Sequence, residues 1–122
     1  MPKPETIEQF IAMVESNEHD KAIEKFYTID ASMQENQSEP RVGRDNLVAN
    51  EKNTLQKVKS LVSKCIRPYF MNGDQVVIRW YFRFEWKNGT ISEIEEIAYQ
   101  NWQEELIKSE KFFYDPKQFT SM

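Results

Sequence analysis

NGDQVVIRWYFRFEWKNG, residues 72–89, is the stretch that decides the fold. Between its two Asn-Gly steps, Gln75–Trp86 is dense in β-branched and aromatic residues, which suit a pleated, half-buried surface. Asn-Gly between apolar runs marks a tight hairpin, because its turn needs backbone conformations that these two residues tolerate. Side chains alternate along a strand. Val76, Ile78, Trp80, Phe82, Phe84 and Trp86 therefore share one face, either plain core or the lining of a hydrophobic ligand cavity. Arg79, Tyr81, Arg83 and Glu85 share the other, and their Tyr and Arg content suits a dimer face.

The two turns demand partner strands on both sides. Lys57–Met71 and Thr90–Trp102 supply them, and Leu106–Tyr114 adds a last strand after a turn at Gln103–Glu105. Asp115-Pro116 ends this antiparallel meander. One stretch reads two ways: Ile91, Ile94, Ile97 and Ala98 also fit a helical face, and Ser92–Phe112 holds no Gly or Pro. Upstream the pattern is helical. Ile7, Phe10, Ile11 and Val14 fall on one helix face, with Thr6 and Gln9 spaced as a capping box. Lys21–Tyr27 predicts a second helix capped by Asp20, and Thr28–Glu35 a strand with Ile29, Ala31 and Met33 on one side. Asn36–Gly43 reads as a loop or short hairpin, and Asp45–Asn53 as a third helix that Asp45 caps.

The bulk numbers narrow the function classes. With 122 residues, the chain is read as a single domain, 1–122, able to bury a core without disulfides. No apolar run is long enough for a membrane span, so no membrane partner is expected. The opening residues lack an apolar signal region, so a cytoplasmic location is expected. One cysteine, Cys65, and one histidine, His19, exclude a multi-thiolate or multi-histidine metal centre. Sixteen basic against twenty acidic residues give a net charge of −4, which argues against a nucleic-acid partner. Isolated glycines leave no phosphate-cradling loop.

Helices first and a long meander last is an α+β order. Four segments carry a resemblance in the right sequence: DKAIEKFYTIDASMQEN (residues 20–36), GRDNLVANE (43–51), NGDQVVIRWYF (72–82) and EEIAYQNWQEELIKSEKFFYDP (95–116). Together the chain resembles the nuclear transport factor 2-like superfamily, in particular its SnoaL-like branch. The resemblance implies a cone: a strongly curved, mixed or antiparallel sheet packed on the three helices of the N-terminal half. It favours strands over a helix for Ser92–Phe112. It also implies a small-molecule pocket at the open end, no cofactor, and a homodimer through the exposed sheet face. The activities it brings are those of isomerases, cyclases and dehydratases acting on a hydrophobic small molecule, alongside members that only bind or scaffold.

Two carboxylates are candidates for catalysis. Glu35 ends the first strand, about where the ketosteroid isomerase branch has its base. Its alternative is a solvated loop carboxylate. Glu96 shares a strand face with Ala98, Gln100 and Trp102. The acidic oxyanion donor of the isomerase branch falls near Ala98, so it is unmatched and Glu96 is the nearest substitute. The alternative for Glu96 is a salt bridge to Arg79 or Arg83. The remaining pocket candidates are Tyr27, Trp80, Phe82, Gln100, Trp102, Glu110, Phe112 and Tyr114. The tyrosine that the isomerase branch places on its first helix is replaced here by Phe10 and Ile11. His19 is expected in the turn between the first two helices, as a surface or near-cap residue, and Glu51, on the apolar stripe of the third helix, is expected to need a partner such as Arg44 or a tyrosine.

Overall fold

A computed structural model describes residues 1–119. Three helices, α1 (Pro4–Glu15), α2 (His19–Phe26) and α3 (Arg44–Leu55), accompany six strands. The strands are β1 (Tyr27–Glu35), β2 (Arg41–Val42), β3 (Val58–Asn72), β4 (Gln75–Trp86), β5 (Ile91–Gln103) and β6 (Leu106–Phe113). They form one strongly curved, open, mixed sheet in the order β2-β1-β6-β5-β4-β3. The architecture is α+β, as expected. β3 to β6 are the antiparallel meander, and β4 has the predicted bounds. The ambiguous stretch from Ser92 onwards is two strands, because β5 buries alternate residues and pairs along its length with β4.

The concave face buries Val76, Ile78, Trp80, Phe82, Phe84, Ile94 and Ala98 against Ile7, Phe10, Ile11 and Val14 of α1 and Ala22, Ile23 and Phe26 of α2. Phe10 meets Trp80, Trp102 and Phe26 edge-on, with ring centroids 5.6–6.4 Å apart, a favoured aromatic geometry.

Several local expectations are corrected. α1 starts at Pro4, and no capping box forms, because Thr6 Oγ1 donates to Glu105 Oε1 in the β5–β6 turn at 2.5 Å. Glu105 also accepts from the Lys3 backbone N–H, so a distant turn supplies the anion that the helix start favours. Asp20 and Asp45 lie in the first turns of α2 and α3 without capping them. Gly43 precedes α3 with φ +98°, a conformation that L side chains rarely adopt. In β1 the inward residues are Tyr27, Ala31 and Met33, while Ile29 is 71% exposed. A register shift between Tyr27 and Ser32 interrupts the strand there, so Ile29 does not share the buried side with Ala31 and Met33 that alternation predicts. The polar segment after β1 contains the two-residue strand β2, paired with β1 through Ser32–Val42 and Met33–Arg41.

Candidate functional site

The open end of the curved sheet holds a cavity of about 200 Å³. Trp80, Phe82 and Phe84 from β4, Phe112 from β6 and Phe10, Val14 and Ile23 from the helices make its apolar walls. Glu35, Arg41, Glu51, Glu96, Glu110, His19 and Tyr27 put polar atoms on the same lining. A mostly apolar hollow with a few converging polar groups is the usual form of a small-molecule site.

The sheet register explains the convergence. On β5 the inward positions include Glu96, Ala98, Gln100 and Trp102, and Glu96 stands opposite Trp80 of β4. Gln100 pairs with Glu110 of β6, which pairs with Met33 of β1. One step along, Ala98 pairs with Phe112, which pairs with Glu35. The parallel β1–β6 pairing thus brings Glu35 to the same mouth as Glu96.

Glu96 has no side-chain hydrogen-bond or ion-pair partner among the described residues, and it shares the cavity lining with Trp80, its register partner on β4. Burial, then the charges of Glu110, Glu35 and Glu51, push its carboxyl up to about 8. The expected alternative, a salt bridge to an arginine, is overturned: Arg79 pairs with Glu95 at 3.5 Å and Arg83 with Glu93 at 4.0 Å, on the convex face. Glu35 is not simply solvated; its Oε2 lies 3.2 Å from Arg41 Nη1. Arg41 Nε is buried with no partner among the described residues.

Glu110 is the centre of a directed network. Trp102 Nε1 can only donate, and it donates to Gln100 Oε1 at 2.9 Å. That turns Gln100 Nε2 toward Glu110 Oε2, at 2.6 Å. The Tyr27 hydroxyl donates to Glu110 Oε1. Burial lifts the Glu110 carboxyl, the bonds from Gln100 and Tyr27 pull it down, and it comes to about 7. Burial and the Glu110 charge hold the Tyr27 phenol well above its usual value.

Of the sequence candidates, Glu35, Glu96, Tyr27, Trp80, Phe82, Glu110 and Phe112 line the cavity. Gln100 and Trp102 do not; they are buried behind it and orient Glu110. Tyr114 lies one residue past β6 and off the lining. Burial, then the charges of Glu35 and Glu96, push its phenol up to about 12.

Three ionisable residues of the cavity lining, His19, Glu51 and Arg41, were not among the sequence candidates. His19 does start a helix, but its ring is turned inward, 10% exposed, and tilts on Phe82 with centroids 5.2 Å apart. Glu51 finds this histidine, not Arg44 or a tyrosine, with Nδ1 to Oε1 at 3.3 Å. Its place on the apolar stripe of α3 was the signal that it needed a partner. Arg41 depends on β2, for which two residues give no pattern.

No protein-family model matches the chain, and no curated protein matches it. Solved structures do. A protein described as a SnoaL-like polyketide cyclase from Mesorhizobium loti superposes with a TM-score of 0.75 at 20% identity, over 90% of this chain and 97% of that one. A ketosteroid isomerase-like protein from Catenulispora acidiphila, in complex with trimethylamine, gives 0.78 at 15% identity over 95% and 89%. TerC, co-crystallised with polyporic acid, gives 0.77 at 12% identity over 94% and 92%. The chain has the nuclear transport factor 2-like fold, shared by SnoaL-like and ketosteroid isomerase-like proteins. At these identities the likeness establishes the fold; activity has to be argued from the site.

Proposed function

We propose that this chain binds a small hydrophobic carbonyl or cyclic compound in the cavity and catalyses proton transfer on it without a cofactor. The observation that carries the reading is Glu96, a carboxyl with no partner, set against an aromatic wall and raised to about 8. Such a group is largely neutral at pH 7 and can donate a hydrogen bond to an oxygen that gains charge. Glu35, ion-paired with Arg41 on the same lining, takes the proton beside the carbonyl. Each role has a known scale: roughly 10²–10⁴-fold for a positioned base and 10²–10³-fold for an oxyanion donor. The cavity lies below the ~300–1,000 Å³ typical of drug-sized ligands, so the compound is small. Two proteins of the same fold hold small organic molecules, which supports a ligand here.

Native mass spectrometry of gently purified protein, followed by turnover of the captured compound class, tests this. A defined extra mass is expected, with a loss well above tenfold in the Glu35→Gln, Glu96→Gln double variant. A loss of tenfold or less sinks the catalytic assignment.

A second reading, a non-catalytic dimeric ligand-binding or scaffold module, is favoured by one observation. Phe10 offers no hydroxyl at the first-helix position, and the Tyr27 hydroxyl is spent on Glu110. In either reading the chain acts as one domain in the cytoplasm, where its lone buried Cys65 stays reduced. It pairs through the convex sheet face, where Val62, Ile97 and Phe113 are exposed apolar residues. A monomer in the same mass spectrum overturns that pairing.

A further inference from the structure

The turn between α1 and α2 carries a chain of hydrogen bonds whose direction can be read from its fixed end. Asn17 sits there with φ 66°, and its Nδ2 donates to the Leu61 carbonyl at 2.8 Å. That leaves Asn17 Oδ1 as a pure acceptor. Ser63 Oγ lies 2.8 Å from it and must donate. A hydroxyl has one proton, so Ser63 Oγ accepts the next bond. Its partner, also at 2.8 Å, is His19 Nε2, which therefore carries hydrogen. The other ring nitrogen, Nδ1, faces Glu51 Oε1 at 3.3 Å. A bare nitrogen lone pair against a bare carboxylate oxygen repels. The contact is attractive only with one more proton between the two atoms.

We infer that His19 and Glu51 form an acid–base dyad on the cavity wall, holding one shared proton that Glu51 presents to an acceptor atom of the ligand. Both residues line the cavity. His19 is the positioning residue: both its nitrogens are engaged, and the Asn17–Ser63 relay fixes its tautomer. When the proton passes to a carbonyl oxygen or carbanion, the ligand gains one proton. The dyad is left as neutral imidazole beside carboxylate, one charge more negative, until solvent restores it. The ligand class rests on the reading given under Proposed function; the proton count of the dyad does not. The negative charge of Glu51 acts on Tyr27, Glu96 and Glu110. A proton held at the dyad therefore lightens the field on all three.

The chain has a single histidine, so ¹⁵N spectra of the ligand-free protein report this ring without assignment. At pH 7 the expected pattern is a protonated Nε2 with Nδ1 in a proton-sharing bond. In Glu51→Ala, Nδ1 becomes a bare nitrogen, and added formate, a small carboxylate entering the vacated space, restores the wild-type signature. Ser63→Ala frees Nε2 and lets the other tautomer appear. Three results would overturn the proposal: an Nδ1–H tautomer with bare Nε2, a Glu51→Ala ring indistinguishable from wild type, or formate without effect. Each leaves the Glu35–Glu96 reading standing, whose own test is turnover.

Discussion

Glu95 and Glu96 are neighbours on β5, yet they live in different solvents. Glu95 faces the convex side, is exposed, and meets Arg79 at 3.5 Å. Glu96 faces the concave side, stands opposite Trp80 in the sheet and has its carboxyl raised to about 8. The same division runs through β4, where Trp80 is 2% exposed while Arg79 and Tyr81 flank it on the outer side. The two faces of one sheet thus give identical residue types opposite chemistry, and the pleat alone decides which residue receives which.

The sharpest break in this comparison is Trp80→Ala against Tyr81→Ala. Denaturant unfolding should show a loss of about 3–5 kcal/mol for the first, since it empties a packed aromatic site. The second should cost under about 1 kcal/mol. Comparable losses would mean that the two faces are not distinct environments.

A pH series comes next in size. Glu96 and Glu110 bind protons more tightly in the folded chain than in the unfolded one. Folded molecules therefore hold the extra protons between the ordinary carboxylate range and about 8 and about 7 respectively. Stability then falls as pH rises through that window, on the order of a few kcal/mol in total. Glu96→Gln should flatten the fall and be more stable than wild type at pH 8, with little change near pH 4. Glu95→Gln should leave the slope as it is. A wild-type stability that rises from pH 5 to 8 would contradict the assignment.

Gln100→Leu strips one donor from Glu110 and should cost about 1–3 kcal/mol, because a buried acceptor loses its partner. It should also move the Glu110 titration upward, visible by ¹³C carboxyl NMR. Its outward neighbour Asn101, bonded to Ser109 at 3.1 Å, should tolerate Ala at under about 1 kcal/mol. Smallest of all is the Arg79–Glu95 pair. A double-mutant cycle should give roughly 0.2–1 kcal/mol, shrinking in high salt, as exposed pairs do.

Where local chemistry was decisive, the sequence was legible. The bounds of β4 follow from two Asn-Gly turns and a dense β-branched, aromatic run. Period-two alternation correctly placed Trp80, Phe82 and Glu96 inside. What escaped depends on long-range assembly. Ile29 was grouped on one side with Ala31 and Met33, yet it is exposed while they are buried, because the irregularity in β1 leaves no local mark. Gln100 and Trp102 were assigned to the lining, since alternation gives the face of a strand but not its depth behind a helix. His19 reaches the cavity only because Asn17 ties its turn to Leu61 and Ser63 of β3, 44 and 46 residues away in sequence. No spacing rule encodes such a tether.

The pairing of β1 with β6 sets an order on the birth of the site. Tyr27 and Glu110, which share a hydrogen bond, lie 83 residues apart in the chain. During synthesis β1 emerges early and must wait for β6, while the meander between them can assemble from neighbouring hairpins. Closing so long a loop comes at an entropic cost that local contacts do not offset. Until it closes, Glu35 and Glu96 are on separate pieces of structure, and the aromatic wall stands open to water. A nascent chain halted before β6 would carry folded hairpins but no cavity, so binding competence is itself a signal that β6 has been made and has docked.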